Sequence, residues 1–243
     1  MRCAHLARRR KHNNVSRRVS VQYIRTSERF CQVWSPFHPS LVGGLALTIW
    51  FLRVHRKPAW GTCAGLILLA ESANRTKKGG QELIGGLDVR VNRNHFGRQT
   101  ESFQAPLDLP FLGSNEQQNA FPAVFIRAPV VEKLLPHQEG VQVGETAREE
   151  TIVAPSRQAK DEVAREAMAH QVEVLASLPG RAARLASEGK NIDADKETGD
   201  IIAVRQGNVF GTSFHPELTG DARIHAWWLR QVEDSLKKNI EKQ

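Results

Sequence analysis

The sequence predicts an α/β domain over residues 51–243 of a 243-residue chain. Three observations carry that prediction. An apolar approach runs into the tight turn Gly61-Thr62-Cys63-Ala64-Gly65 and out into a second apolar run, the order strand, elbow, helix. Short stretches rich in β-branched and aromatic residues then recur, bounded by Gly, Pro and charged residues. The C-terminal segment repeats apolar residues at helical spacing.

Taken in order, Phe51 to Trp60 leads toward the turn, and Pro58 forces extended geometry before it. Leu66 to Ser72 reads as the start of a helix after the elbow. Asn74 to Gly80 is a polar, basic connection. Leu87 to Val91 alternates as a strand, and Val124-Phe125-Ile126 is a short strand ending at Arg127 and Pro129. Residues 137–170 are dominated by Gln, Glu, Lys, Arg and Ala, so they read as a solvated, mobile insertion with a helix over Lys160 to His170. Val172 to Leu178 resumes a strand. Residues 201–211 read as a hairpin with Gly207-Asn208 at its turn, which delivers the chain to His215 at a strand end. From Asp221 to Lys238, Ile224, Trp227, Trp228, Val232 and Leu236 form an amphipathic stripe, and its tryptophans belong to the core.

Length suffices for one domain with a substantial core. The longest apolar run, Leu41 to Leu52, stops at Arg53 and is too short for a membrane span of ~20 residues. The net charge of +8 sits in the first 30 residues, where nine Lys/Arg face one acid, Glu28. The rest of the chain is balanced, which removes the electrostatic case for nucleic acid. Cys3, Cys31 and Cys63 are too scattered for a disulfide framework, and no Cys or His spacing suits a metal, so neither metal nor cofactor is expected. The cysteine usage fits a reducing compartment, the cytoplasm. The Arg-rich, acid-poor residues 1–50 suit a mitochondrial targeting segment as the alternative. A disordered basic tail, or sequence foreign to the mature product, are further readings of the same segment.

Cys63 and His215 carry the chemistry. A Cys between two glycines on a strand-to-helix elbow is pushed into a pocket, and a neighbouring His activates it. Glu217 follows His215 by two residues, so in an extended segment its carboxylate reaches the imidazole and fixes its tautomer.

The longer text around these residues, Trp60 to Ala70, resembles the nucleophile segment of class I glutamine amidotransferases. Four further stretches narrow the likeness: Gly86-Leu87-Asp88-Val89 running into Arg93-Asn94-His95-Phe96-Gly97-Arg98-Gln99; Phe125 to Pro129; Ala203 to Gly207; and Ser213 to Thr219. Together they resemble the glutaminase subunit of pyridoxal 5′-phosphate synthase, the Pdx2/PdxT/SNO family, over roughly residues 51–243. The resemblance implies a three-layer sandwich around a mostly parallel sheet. It implies a glutamine amidohydrolase that passes ammonia to a (β/α)8 synthase subunit for vitamin B6 synthesis. It implies a triad of Cys63, His215 and Glu217 working through a glutamyl thioester, the backbone N–H of Ala64 as an oxyanion donor, and Arg93, Ile126 and Arg127 as glutamine contacts.

The chain departs from the family at its start. The family's first strand and its Gly-Gly-Glu-Ser loop have no counterpart, since Gly43-Gly44 runs into Leu45-Ala46. That departure predicts an exposed sheet edge and an incomplete oxyanion hole. It leaves a second reading beside the first: an inactive or truncated member that binds the synthase without turnover.

Overall fold

The computed structural model describes residues 23–24, 58–75, 82–93, 95, 102–113, 120–155, 162–178 and 200–240. The remainder, which includes Gly43-Gly44, Arg98, Gln99 and most of residues 1–50, lies outside the described residues.

The described chain opens with β1 (Tyr23–Ile24) and β2 (Ala59–Thr62), followed by helix α1 (Ala64–Leu69), β3 (Ala70–Asn74) and β4 (Leu87–Asn92). Next come β5 (Ser102–Leu107), β6 (Phe121–Ile126), β7 (Val130–Leu134), α2 (Val143–Thr146), β8 (Thr151–Val153) and α3 (Glu162–Met168). The last elements are β9 (Val172–Leu178), β10 (Asp200–Gln206), β11 (Val209–Thr212) and α4 (Arg223–Ile240). One sheet runs β1-β2-β11-β10-β7-β4-β3-β8, with β9 as a further partner of β10, and β5 and β6 pair separately.

The α/β class holds, but the sheet is mixed rather than mostly parallel. β1–β2, β2–β11 and β3–β4 are parallel, and the other pairings are antiparallel. The reason is local at one point: Gly207-Asn208 closes β10 onto β11 in a two-residue hairpin, which forces antiparallel pairing. Gly207 has φ +57°, the value a turn of this kind demands. β1 lies beside β2 with Tyr23 opposite Trp60, so two residues of the N-terminal segment cover that sheet edge.

The strand over Val172–Leu178, the hairpin and the C-terminal helix form where the sequence predicts them. The helix after the elbow is shorter than predicted. It stops at Leu69, and Ala70 turns to extended backbone (φ −70°, ψ 147°). Ala70 to Asn74 instead pair with β4 on one side and β8 on the other, a case of tertiary pairing overriding helix propensity.

Alternation along β2 and β11 builds the layers. Trp60 and Phe210 sit opposite each other in register, rings 5.3 Å apart, and face α4 through Trp227 and Trp228. Gly61 and Gly211, the next register pair, face α1. A Cβ on Gly61 would stand 2.6 Å from the Gly65 backbone, and one on Gly211 would stand 2.6 Å from Leu66. Only glycine lets α1 approach this closely. Helix α4 thus covers one face and α1 the other. Among the described residues no helix is long and apolar enough to cross a membrane.

Residues 137–170 are tied into this body. Gln206 Nε2 donates to Asp88 Oδ2 (2.5 Å) and to the His170 carbonyl (2.7 Å), while His137 Nδ1 lies 2.9 Å from the same Asp88 oxygen. Both ends of the segment therefore close on one polar cluster. Inside it, β8 pairs with β3, and buried Glu145 meets Arg90 at 2.8 Å and accepts a hydrogen bond from Ser72 at 2.7 Å. Burial alone would raise the Glu145 carboxyl. The hydrogen bonds from Ser72 and Arg90 hold it below its ordinary range.

Candidate active site

Cys63 is the hinge between β2 and α1. Its backbone has φ 49° and ψ −105°, a strained conformation for a residue with a side chain. Its N–H donates to the Thr212 carbonyl at 2.7 Å, which extends the β2–β11 ladder by one bond and clamps the strained residue. Gly61 and Gly65 permit the tight approach, as the sequence predicts. The thiol is half-buried and lies 3.8 Å from the Ile126 carbonyl oxygen.

His215 follows β11 by three residues. Its N–H donates to the Val124 carbonyl of β6 at 2.8 Å, so two separate sheets fix its backbone. Nδ1 is 2.9 Å from Glu217 Oε1, and the ring also hydrogen-bonds Cys63, for which Nε2 is the remaining nitrogen. Burial would by itself lower the His215 pKa. The hydrogen bonds to Cys63 and Glu217, reinforced by the charges on both, overcome burial and carry it up to about 10. A 3-10 turn, Pro216–Leu218, begins at His215 and holds Glu217 beneath the imidazole.

The predicted substrate contacts converge partly. Ile126 reaches Cys63 through its carbonyl oxygen. Arg127 has φ 48° and an exposed side chain. Arg93 leaves β4 next to Asn92, which pairs with Val130 at the start of β7, so Arg93 comes to the strand end that Ile126 and Arg127 lead into. It is buried, its N–H donates to Asn74 Oδ1 at 2.8 Å, and desolvation pushes its guanidinium below the usual arginine range. A buried guanidinium favours an anionic partner such as a carboxylate. Ala64 opens α1, where first-turn amides have no partner within the helix.

Sequence reasoning placed Trp60 in the nucleophile segment but marked none of its contacts, and it singled out neither Thr212 nor Asp200. Trp60 Nε1 donates to Thr212 Oγ1 at 3.2 Å, and Asp200 Oδ1 lies 2.6 Å from His95 Nε2. Nothing local in the sequence flags such contacts, because their partners lie far away along the chain. Among the described residues no group of His, Cys, Asp or Glu is arranged to hold a metal ion.

The pattern of the SNO glutamine amidotransferase family matches residues 42–166 and 172–234. A probable pyridoxal 5′-phosphate synthase subunit PDX2 of Arabidopsis thaliana is 39% identical over 184 residues, covering 73% of this chain and 59% of that protein. The pyridoxal 5′-phosphate synthase subunit PdxT of Herpetosiphon aurantiacus is 37% identical over 172 residues, 71% of this chain and 61% of its own. That of Archaeoglobus fulgidus is 38% identical over 193 residues, 79% and 68%. The chain thus spans about three fifths of the length of the first two relatives. A crystal structure of a glutamine amidotransferase overlays with a TM-score of 0.41 at 32% identity, covering 72% of this chain and 61% of that one.

Proposed function

The chain belongs to the SNO glutamine amidotransferase family, and on that footing we propose that it hydrolyses the side-chain amide of glutamine and supplies the ammonia to a pyridoxal 5′-phosphate synthase subunit. The observation that carries this reading is His215 held between the Cys63 thiol and the Glu217 carboxylate with a pKa of about 10.

At neutral pH His215 is an imidazolium beside the Cys63 sulfur, so the nucleophile is prepared before substrate arrives. The sulfur attacks the amide carbon, and the C=O electron pair moves onto oxygen. The Ala64 N–H, at the start of α1, receives that oxyanion. His215 gives its proton to the leaving nitrogen, ammonia departs, and a glutamyl thioester remains on Cys63. His215 then takes a proton from water, which cleaves the thioester to glutamate and restores the thiol. Glu217 keeps Nδ1 protonated and Nε2 turned to the sulfur throughout. Arg93 binds the α-carboxylate of glutamine, and Ile126 and Arg127 line the same site.

Free ammonia is protonated in water, so direct contact with a (β/α)8 synthase partner follows from the chemistry. A reducing cytoplasm is the compartment that preserves the thiol. The test is glutamate release from glutamine by the full chain mixed with its synthase partner, beside Cys63→Ala. Release that depends on Cys63 supports the reading. Release equal to that of the variant overturns it and leaves docking without turnover.

A further inference from the structure

We propose that His95 and Asp200 are positioning residues for glutamine binding: their contact fixes the turn that presents Arg93 to the α-carboxylate of the substrate. The inference rests on the glutaminase reading and deepens it, since it gives a role in that site to two side chains outside the triad.

His95 belongs to the segment Arg93-Asn94-His95-Phe96-Gly97-Arg98-Gln99, in which Arg93 is the residue with a place in the proposed reaction. His95 Nε2 lies 2.6 Å from Asp200 Oδ1. A carboxylate oxygen only accepts, so the ring nitrogen donates. The His95 side chain is 30% exposed and that of Asp200 only 9%. The carboxylate is thus shielded from the solvent that makes most surface ion pairs weak, and the contact can hold a backbone in place.

The two partners belong to different parts of the site. Arg93 stands two residues before His95. Its backbone N–H donates to Asn74 Oδ1 of β3 at 2.8 Å, and Asn74 Nδ2 donates to Asn92 Oδ1 at 3.4 Å. The chain is therefore held at Arg93 and just before it by β3, and just after it by Asp200. A guanidinium binds a carboxylate through two parallel hydrogen bonds only when its planar head is well aimed, and fixing the backbone on both flanks limits where that head can go.

Asp200 opens β10, and successive residues of that strand make separate connections. Asp200 holds His95. Ile201 pairs with Val131 of β7, the strand that follows Ile126 and Arg127. The Ile202 carbonyl accepts the Ser213 N–H at 2.8 Å, two residues before His215. The start of β10 thus ties the Arg93 turn to the segments that carry the other proposed glutamine contacts and the base. The contacts of Cys63 with Ile126 and of His215 with Glu217 do not pass through His95. Loss of the pair should therefore loosen Arg93 and leave the triad in place.

The test uses the full chain with its synthase partner and follows glutamate release against glutamine concentration. His95→Ala is expected to raise KM about tenfold and to leave kcat within about twofold of wild type, the loss expected for one charge-assisted hydrogen bond that acts on binding. His95→Gln, whose amide N–H can replace Nε2–H, should restore most of the affinity. Asp200→Asn, which keeps an acceptor oxygen and loses the charge, should raise KM by a smaller factor, and it reads the same effect where His95→Ala does not fold. In the Arg93→Ala background, His95→Ala should change kcat/KM by less than about twofold, because the group it positions is gone. An unchanged KM in the folded variants, a loss confined to kcat, no rescue by His95→Gln, or a full additional loss on top of Arg93→Ala overturns the proposal while wild-type turnover leaves the glutaminase reading standing. No glutamate release by the wild type overturns that reading and this inference with it.

Discussion

Two histidines of this chain hold a carboxylate at the same distance, and they do different work. His215 Nδ1 lies 2.9 Å from Glu217, and His137 Nδ1 lies 2.9 Å from Asp88. The difference is at the other nitrogen. His215 turns its second nitrogen to the Cys63 sulfur. The Nε2 of His137 is buried and meets no hydrogen-bond partner among the described residues. Asp88, moreover, is engaged by Gln206, which also binds the His170 carbonyl. On the proposed reading, a His–carboxylate pair is thus a joint in one place and half of a catalytic device in the other. The neighbouring nucleophile makes the distinction, not the pair.

Substitutions break this comparison most sharply at the sulfur. Cys63→Ala should reduce glutamate release to background while leaving the fold intact, as checked by an unchanged urea midpoint. His215→Asn should lower kcat by ~10² to 10⁴. The matched change His137→Asn should leave kcat unchanged and cost about 1–3 kcal/mol of stability, because it removes a half-buried partner of the buried Asp88 carboxylate. An equal loss of kcat in both would erase the contrast. Glu217→Gln should reduce kcat by a smaller factor than His215→Asn, roughly 10- to 100-fold, since it disturbs orientation and leaves the base present. Asp88→Asn should move the urea midpoint and not kcat.

The smallest expected effect is on pH dependence of stability. The folded pKa of His215 lies near 10, above its unfolded value near 6.5. Folding therefore favours the protonated form. The resulting stabilisation is complete below about pH 6.5 and is lost as pH rises toward 10. Chemical unfolding across this window should show the loss in wild type and a flatter profile in His215→Asn. Identical profiles would mean that the imidazolium is not held as described.

Much of the fold was legible because it is local. Gly207-Asn208 marks its own hairpin, and Ile224, Trp227, Trp228 and Val232 mark the buried face of α4 by spacing alone. The elbow was legible because Gly61 and Gly65 flank Cys63. What the sequence concealed depends on distant partners. Ala70 to Asn74 read as helix and connection, yet β4 and β8 draw them into the sheet. Glu145 sits in a stretch that reads as solvated, and only Arg90 and Ser72, 55 and 73 residues away, explain its burial. In the site, Cys63, His215 and Glu217 are visible as motifs. The Ile126 carbonyl and the Trp60–Thr212 contact are not, since a backbone atom has no letter and an indole reads first as core.

The central claim is that Cys63 attacks glutamine at its side-chain carbonyl. The most direct measurement is the mass of the Cys63 peptide after exposure to a diazoketone analogue of glutamine, with the synthase partner present. The account predicts one adduct on Cys63, suppressed by excess glutamine and absent from His215→Asn at short times. Labelling that ignores glutamine, or that falls equally on Cys3 and Cys31, would contradict it.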